Sequence, residues 1–137
     1  MKKKVKFTVL GTPVAKGRPR LGKYGTYTPE KTVNYENLVK LSYIQECGNV
    51  SLNGALKMTV KAYFPIPKST RKKERVLMQA GKIRHTKKPD GDNVVKSIAD
   101  ALNGIAYDDD SAVVDLTISK DYSEKPRVEV EIEEIYG

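Results

Sequence analysis

The segment PRVEVEIEEI, residues 126–135, alternates strictly through Ile132. Val128, Val130 and Ile132 fall on one side and Glu129, Glu131 and Glu133 on the other. Alternation with a period of two reads as a β-strand with one face in a core and one in water. A strand needs neighbours, and the chain offers three. KKVKFTVL (3–10) places Val5, Phe7 and Val9 on one side. ALKMTVKAYF (55–64) sets Leu56, Met58, Val60 and Ala62 against Lys57, Thr59 and Lys61, and Pro65 and Pro67 stop it. AVVDLTIS (112–119) reads as the fourth strand.

Between the strands the apolar period lengthens to that of a helix. Residues 28–47 carry Val33, Tyr35, Leu38, Val39, Ser42 and Tyr43 near helical spacing. Thr28 is the expected N-cap, Pro29 the first turn and Gly48 the stop. Residues 69–80 predict a short helix with Ser69 as its cap. In residues 92–103, Val94, Val95, Ile98, Ala101 and Leu102 form one apolar stripe, closed by Asn103 and Gly104. Residues 11–29, rich in Gly and Pro, read as a long basic loop. The order β-α-β-α-α-β-β predicts an α/β fold: a single compact domain over residues 1–137, with a mixed sheet of about four strands covered by helices.

Composition narrows the chemistry. Cys47 is the only cysteine, so an intrachain disulfide and a multi-cysteine zinc site are both excluded. The single His85 excludes metal sites built on two or more imidazoles. The basic N-terminus lacks the apolar stretch of a signal peptide, and no apolar run is long enough to span a bilayer. The expectation is a cytoplasmic protein without a membrane partner. The net charge is +8, which favours polyanionic partners. Its cations gather in residues 1–25 and 68–88, while acids dominate residues 105–137.

Carboxylates concentrate in KPDGDNVVKSIADALNGIAYDDDSAVVD, residues 88–115. Asp90 and Asp92 flank Gly91, which permits a tight turn that converges them. Asp92 also has the makings of a helix cap. Lys96 and Asp100 follow Asp92 at intervals of four, on one polar face. That pattern serves equally for a surface ion pair or for a cation beside a carboxylate cluster. Asp108, Asp109 and Asp110 follow in a turn, and a helix folding back on the sheet would bring that turn toward Asp90 and Asp92. Magnesium takes few carboxylates and completes its shell with waters and substrate phosphates. Aspartates beside basic loops therefore suit phosphodiester hydrolysis.

Asp90-Gly91-Asp92-Asn93, Lys96, Asp100-Ala101-Leu102 and Asp109-Asp110 before Val113-Val114 match in order and spacing the signature of the RusA family of Holliday junction resolvases. The chain resembles that family closely over residues 86–120 and more loosely over its length. KGRPR and YTPEKT are similar to segments of phage and prophage members. The resemblance implies a homodimeric nuclease that uses Mg²⁺, with Mn²⁺ as a substitute, and nicks opposing strands of a four-way DNA junction. It implies metal binding by Asp90, Asp92 and Asp110, a catalytic role for Lys96, and neighbouring roles for Asp109 and Asp100. Which of Asp108, Asp109 and Asp110 faces the metal stays open. The basic segments add expected DNA contacts at Lys16, Arg18, Arg20, Lys23, Arg84, Lys87 and Lys88, with Tyr24 and Tyr27 as candidates to pack against unstacked bases or into the core. No small-molecule substrate is expected. The alternatives are a non-catalytic basic DNA-binding protein and a metal-dependent nuclease of other branched DNA.

Overall fold

The computed structural model describes residues 2–136. The chain runs β1 (Lys4–Leu10), β2 (Arg20–Gly22), β3 (Gly25–Tyr27), α1 (Glu30–Cys47), β4 (Leu56–Pro65), α2 (Lys72–Gln79) and α3 (Gly91–Leu102). A single 3-10 turn (Asp110–Ala112) then leads into β5 (Val113–Ser123) and β6 (Arg127–Glu134). Four strands form one mixed sheet in the order β1-β6-β4-β5. β6 pairs antiparallel with β1 and β4, and β4 pairs parallel with β5. Parallel neighbours require a crossover rather than a turn, and the stretch bearing α2 and α3 supplies it. This is the mixed α/β architecture that the alternation of periods predicts.

The buried strand faces match the sequence pattern. Val5, Phe7 and Val9 of β1 share a core with Val128, Val130 and Ile132 of β6 and with Leu56, Met58, Val60, Ala62 and Phe64 of β4. Tyr35, Val39 and Tyr43 of α1, and Val94, Ile98, Ala101 and Leu102 of α3, pack onto them. Phe7 meets Tyr43 edge to face at 5.4 Å. Fully burying one such side chain contributes roughly 1.5–3 kcal/mol.

The opposite face is polar and pairs opposite charges across strands. Lys4 faces Glu133 and Lys6 faces Glu131 across β1 and β6, while Lys57 faces Glu133 and Lys61 faces Glu129 across β4 and β6. The Lys4 ammonium lies 2.6 Å from Glu131. Glu131 is thereby paired with Lys4, and Glu129 with the Arg127 guanidinium at 2.9 Å, while Glu133 stands opposite Lys4 and Lys57 in register. Glu134 departs from the alternation and is buried. The N–H groups of Asn53 (2.8 Å) and Lys3 (2.9 Å) donate to its carboxylate and hold its pKa below the ordinary value.

Three helix starts differ from expectation. The first backbone bonds are accepted by Pro29, Arg71 and Asp90, so these residues, and not Thr28, Ser69 and Asp92, occupy the cap positions. None of the three caps its helix through a side chain. The segment read as a basic loop contains the β2–β3 hairpin, which pairs within itself and stays outside the main sheet. Among the described residues no helix is long and apolar enough to cross a membrane.

Candidate active site

Helix α3 organises the candidate residues. Its first turn lies directly on β5, and a Cβ at Gly91 would stand 3.2 Å from Ile118 Cγ1. Glycine thus serves a close approach here, with no positive φ of the kind a tight turn would use. The loop before the helix is tied to the same strand. The Lys120 ammonium donates to the carbonyls of Lys87 (2.7 Å) and Pro89 (2.8 Å), on either side of the cis Lys88–Pro89 peptide. Asp90 and Asp92 follow, both exposed. Asp90 makes no side-chain capping bond, and Asp92 lies inside the first turn rather than at the cap. The capping role that would have occupied Asp92 is therefore absent, and the two acids sit where the helix dipole favours negative charge.

Lys96 is exposed one turn further along, with no ion pair to Asp92 among the described residues. Another turn on, Asp100 is half-buried, and its carboxylate lies 3.3 Å from the Lys16 ammonium. That ammonium also sits 2.7 Å from Glu36 of α1. Burial opposes the charge on Lys16, but Glu36 and Asp100 outweigh it and raise its pKa.

The aspartate turn packs at this second end of the helix. Asn103, the C-cap of α3, accepts the backbone N–H of Asp110 at 2.8 Å through its Oδ1. Burial, with the charges of Asp109 and Asp100 nearby, raises the Asp110 pKa. Asp109 is turned onto its own loop, where the N–H of Ser111 donates to Oδ2 at 3.0 Å. Ser111, through its side chain first and then this N–H, lowers the Asp109 pKa. Asp108 is exposed. Of the three acids, Asp110 is the one directed at α3.

The fold leaves Asp90 and Asp92 apart from Asp110. Eight residues separate Asp92 from Asp100, about 12 Å of helix axis at 1.5 Å per residue. Oxygens sharing one magnesium stand about 4 Å apart at most. Among the described residues no three potential ligands converge on one point. The chain must travel the length of α3 before it reaches the aspartate turn, and β5 then starts from that same end. The expected return of the turn to the Asp90 end does not occur within one chain.

The basic residues divide by what they already hold. Arg18, Arg20 and Lys31 line a groove with Pro89, beside the start of α1 and next to Asp90. Lys23, Lys87 and Lys88 are exposed. Arg84 is engaged by both oxygens of Asp121, at 2.9 and 3.1 Å. Lys16 is engaged as described and is only 20% exposed. His85 lies outside the acidic stripe: its ring stacks on Phe64 at 3.7 Å, and burial and Lys120 lower its pKa.

An exposed acid pair, a lysine one turn on and a flanking basic groove fit a nuclease, and comparison with known proteins agrees. The family described as Endodeoxyribonuclease RusA matches residues 11–133. The chain belongs to the RusA family. It is also 47% identical to the uncharacterized protein YqaN of Bacillus subtilis strain 168, with 96% of each chain covered. Membership in the RusA family indicates an endodeoxyribonuclease. Two supporting residues escaped the sequence reading, Glu36 and Lys120, while Asn103 was read only as the stop of the helix. Of the two, only Lys120 carried a signal, as one of three cations in the acid-rich last third of the chain.

Proposed function

We propose that this protein is a structure-selective endonuclease that resolves four-way DNA junctions by paired phosphodiester hydrolysis, acting as a cytoplasmic homodimer with Mg²⁺, for which Mn²⁺ substitutes. The observation that carries this reading is the exposed pair Asp90 and Asp92, adjoined by a groove lined with Arg18, Arg20 and Lys31. Carboxylates free of capping duty suit a hard cation that also needs waters and a phosphate. When bound, the metal supplies Lewis acidity toward the phosphate and a nucleophile derived from water. Asp90 and Asp92 would hold it, with Asp110 of a second copy as the further carboxylate and that copy's Asp100 and Asp109 beside it. Arg18, Arg20, Lys23, Lys87 and Lys88 position the DNA through its phosphates. Lys96 faces the charge that develops on the phosphate during cleavage.

A homodimer suits both substrate and site. Two opposed strands must be cut, and a two-fold dimer presents two equivalent sites. Helices related by a two-fold axis perpendicular to them run antiparallel, so a second copy can set its Asp110 end beside the Asp90 end of the first. Val33, Leu38, Leu41 and Ile44 are exposed on α1 and are the candidates for part of the contact, whereas Tyr35, Val39 and Tyr43 belong to the core.

The test is incubation with a synthetic mobile four-way junction and Mg²⁺, read on a denaturing gel, with flap and duplex controls. Paired nicks in opposing strands, absent in EDTA, are expected. Cutting of flaps but not junctions supports the other branched-DNA nuclease. Binding without cleavage in either metal supports the non-catalytic DNA-binding protein.

A further inference from the structure

The β2–β3 hairpin carries an apolar tip that the fold leaves unused. Leu21 is 85% exposed and Tyr24 is 94% exposed. The root of the arm is held against α1 and α3. The backbone N–H of Lys16 donates to Asn93 O (3.1 Å), and that of Gly17 donates to Thr32 Oγ1 (2.9 Å). Beyond the root, Arg20 pairs with Tyr27, Leu21 with Thr26 and Gly22 with Gly25, and Lys23 and Tyr24 form the turn. Tyr27 is used within the arm: a Cβ at Gly22 would stand 3.0 Å from its ring, so the missing side chain makes room for that ring. Among the described residues Leu21 has no such cover, and the Tyr24 ring meets only the Lys23 ammonium, 5.7 Å from its centroid, a solvated cation that a base can displace.

We infer that this hairpin is a branch-reading arm, with Tyr24 stacking on an unpaired base at the centre of a DNA junction and Leu21 filling the space beside it. The inference rests on the proposed substrate and adds the element that distinguishes a branch from a plain duplex. Charge selects the partner. Arg18, Arg20 and Lys23 flank the tip, and residues 1–29 contain no acid. An exposed ring on a cationic ribbon matches a polyanion that offers a π-face. Aromatic rings bind single-stranded bases by stacking, and apolar wedges enter opened base steps. In an intact duplex the bases are already stacked on one another, so the tip gains little there, while the arginines serve duplex and junction alike.

The experiment measures binding of wild type and of Tyr24→Ala, Tyr24→Phe and Leu21→Ala to a four-way junction and to a duplex of the same arm sequence, in Ca²⁺. Tyr24→Ala is expected to weaken junction binding about 5- to 150-fold, the worth of one base stacked on an aromatic ring. Duplex binding should stay at the wild-type level, and Tyr24→Phe should restore the junction. In parallel, 5-iododeoxyuridine placed at the branch should crosslink to Tyr24 on irradiation, with the site read by mass spectrometry. A wild-type protein with no junction preference overturns the substrate reading itself. A wild-type preference that Tyr24→Ala leaves intact, with crosslinks elsewhere, overturns the arm alone. Loss of the dimer by sedimentation in Tyr24→Ala identifies the tip as a protein contact and overturns it equally. Because both side chains are exposed, the variants should melt with the wild type.

Discussion

The two ends of α3 carry the same residue type in opposite situations. At the first turn, Asp90 and Asp92 are exposed, and no hydrogen bond of their side chains is found among the described residues. At the last, Asp100 and Asp110 crowd each other, with the Lys16 ammonium on Asp100 and Asn103 holding the Asp110 backbone. Exposed acids at a helix N-terminus cost the fold little and remain available to a ligand. Crowded acids are held in place by neighbours, and their mutual repulsion is a standing cost that a cation would relieve. The difference separates a docking end from a preset end, and each can be perturbed alone.

The largest effect is expected from Asp90→Asn or Asp92→Asn. Cleavage of a junction in Mg²⁺ should fall by at least about 100-fold, since loss even of an indirect partner to a metal costs about 10- to 100-fold. Melting should fall only slightly, because neither side chain caps the helix and an exposed charge at a helix N-terminus contributes only about 0.3–1 kcal/mol. A cleaving Asp92→Asn protein would move the docking end elsewhere. Lys96→Ala should lower the cleavage rate by about 10²-fold with junction affinity in Ca²⁺ nearly intact, as for loss of one group that stabilises transition-state charge. Equal losses in rate and affinity would make Lys96 a simple phosphate contact.

Lys16→Ala should act on stability. It leaves Glu36 and Asp100 without their shared cation, at a cost of about 1–3 kcal/mol in denaturant unfolding at neutral pH. The Lys16 pKa is raised in the fold, so its contribution is present below the unfolded value of 10.5 and fades only as pH climbs through the folded one. An unchanged unfolding midpoint at pH 7 would show that the pair contributes nothing. Lys120→Met should free the loop before Asp90. Proteolysis within residues 82–90 should accelerate about tenfold, on the scale of one charged hydrogen bond of about 1.5 kcal/mol, and Mg²⁺ should saturate cleavage at a higher concentration. Wild-type proteolysis would assign the loop's order to packing alone.

The smallest change is expected from Asp110→Asn in EDTA. The Asp110 pKa is raised above 3.8, so its charged form is disfavoured in the fold. Removing the charge should lift the melting temperature at pH 7, on the order of 2 °C. The gain should shrink as pH falls through the raised value and vanish below 3.8, where wild type is itself protonated. A lowered melting temperature would mean that Asp110 holds the turn together.

The strands, the helices and the acid stripe were legible because each is written in neighbouring residues. Val128, Val130 and Ile132 declare a strand by their own spacing, and Asp92, Lys96 and Asp100 declare a shared helix face. The hairpin was not legible, because strands of three residues without a buried face leave no periodic signal. The caps of α1, α2 and α3 were each misplaced: Thr28, Ser69 and Asp92 have suitable side chains, but a cap is set by which carbonyl accepts the first helical bond. Lys16 read as a DNA cation until the fold brought Glu36 and Asp100 to it. The sequence by itself determined the order of elements, the faces they bury and the stock of acids and bases. Only tertiary structure decided which carboxylates stay free, which are held, and that a whole helix lies between Asp92 and Asp110. Periodicity is a property of adjacent residues, whereas charge pairing depends on distances between segments that the chain closes only by packing.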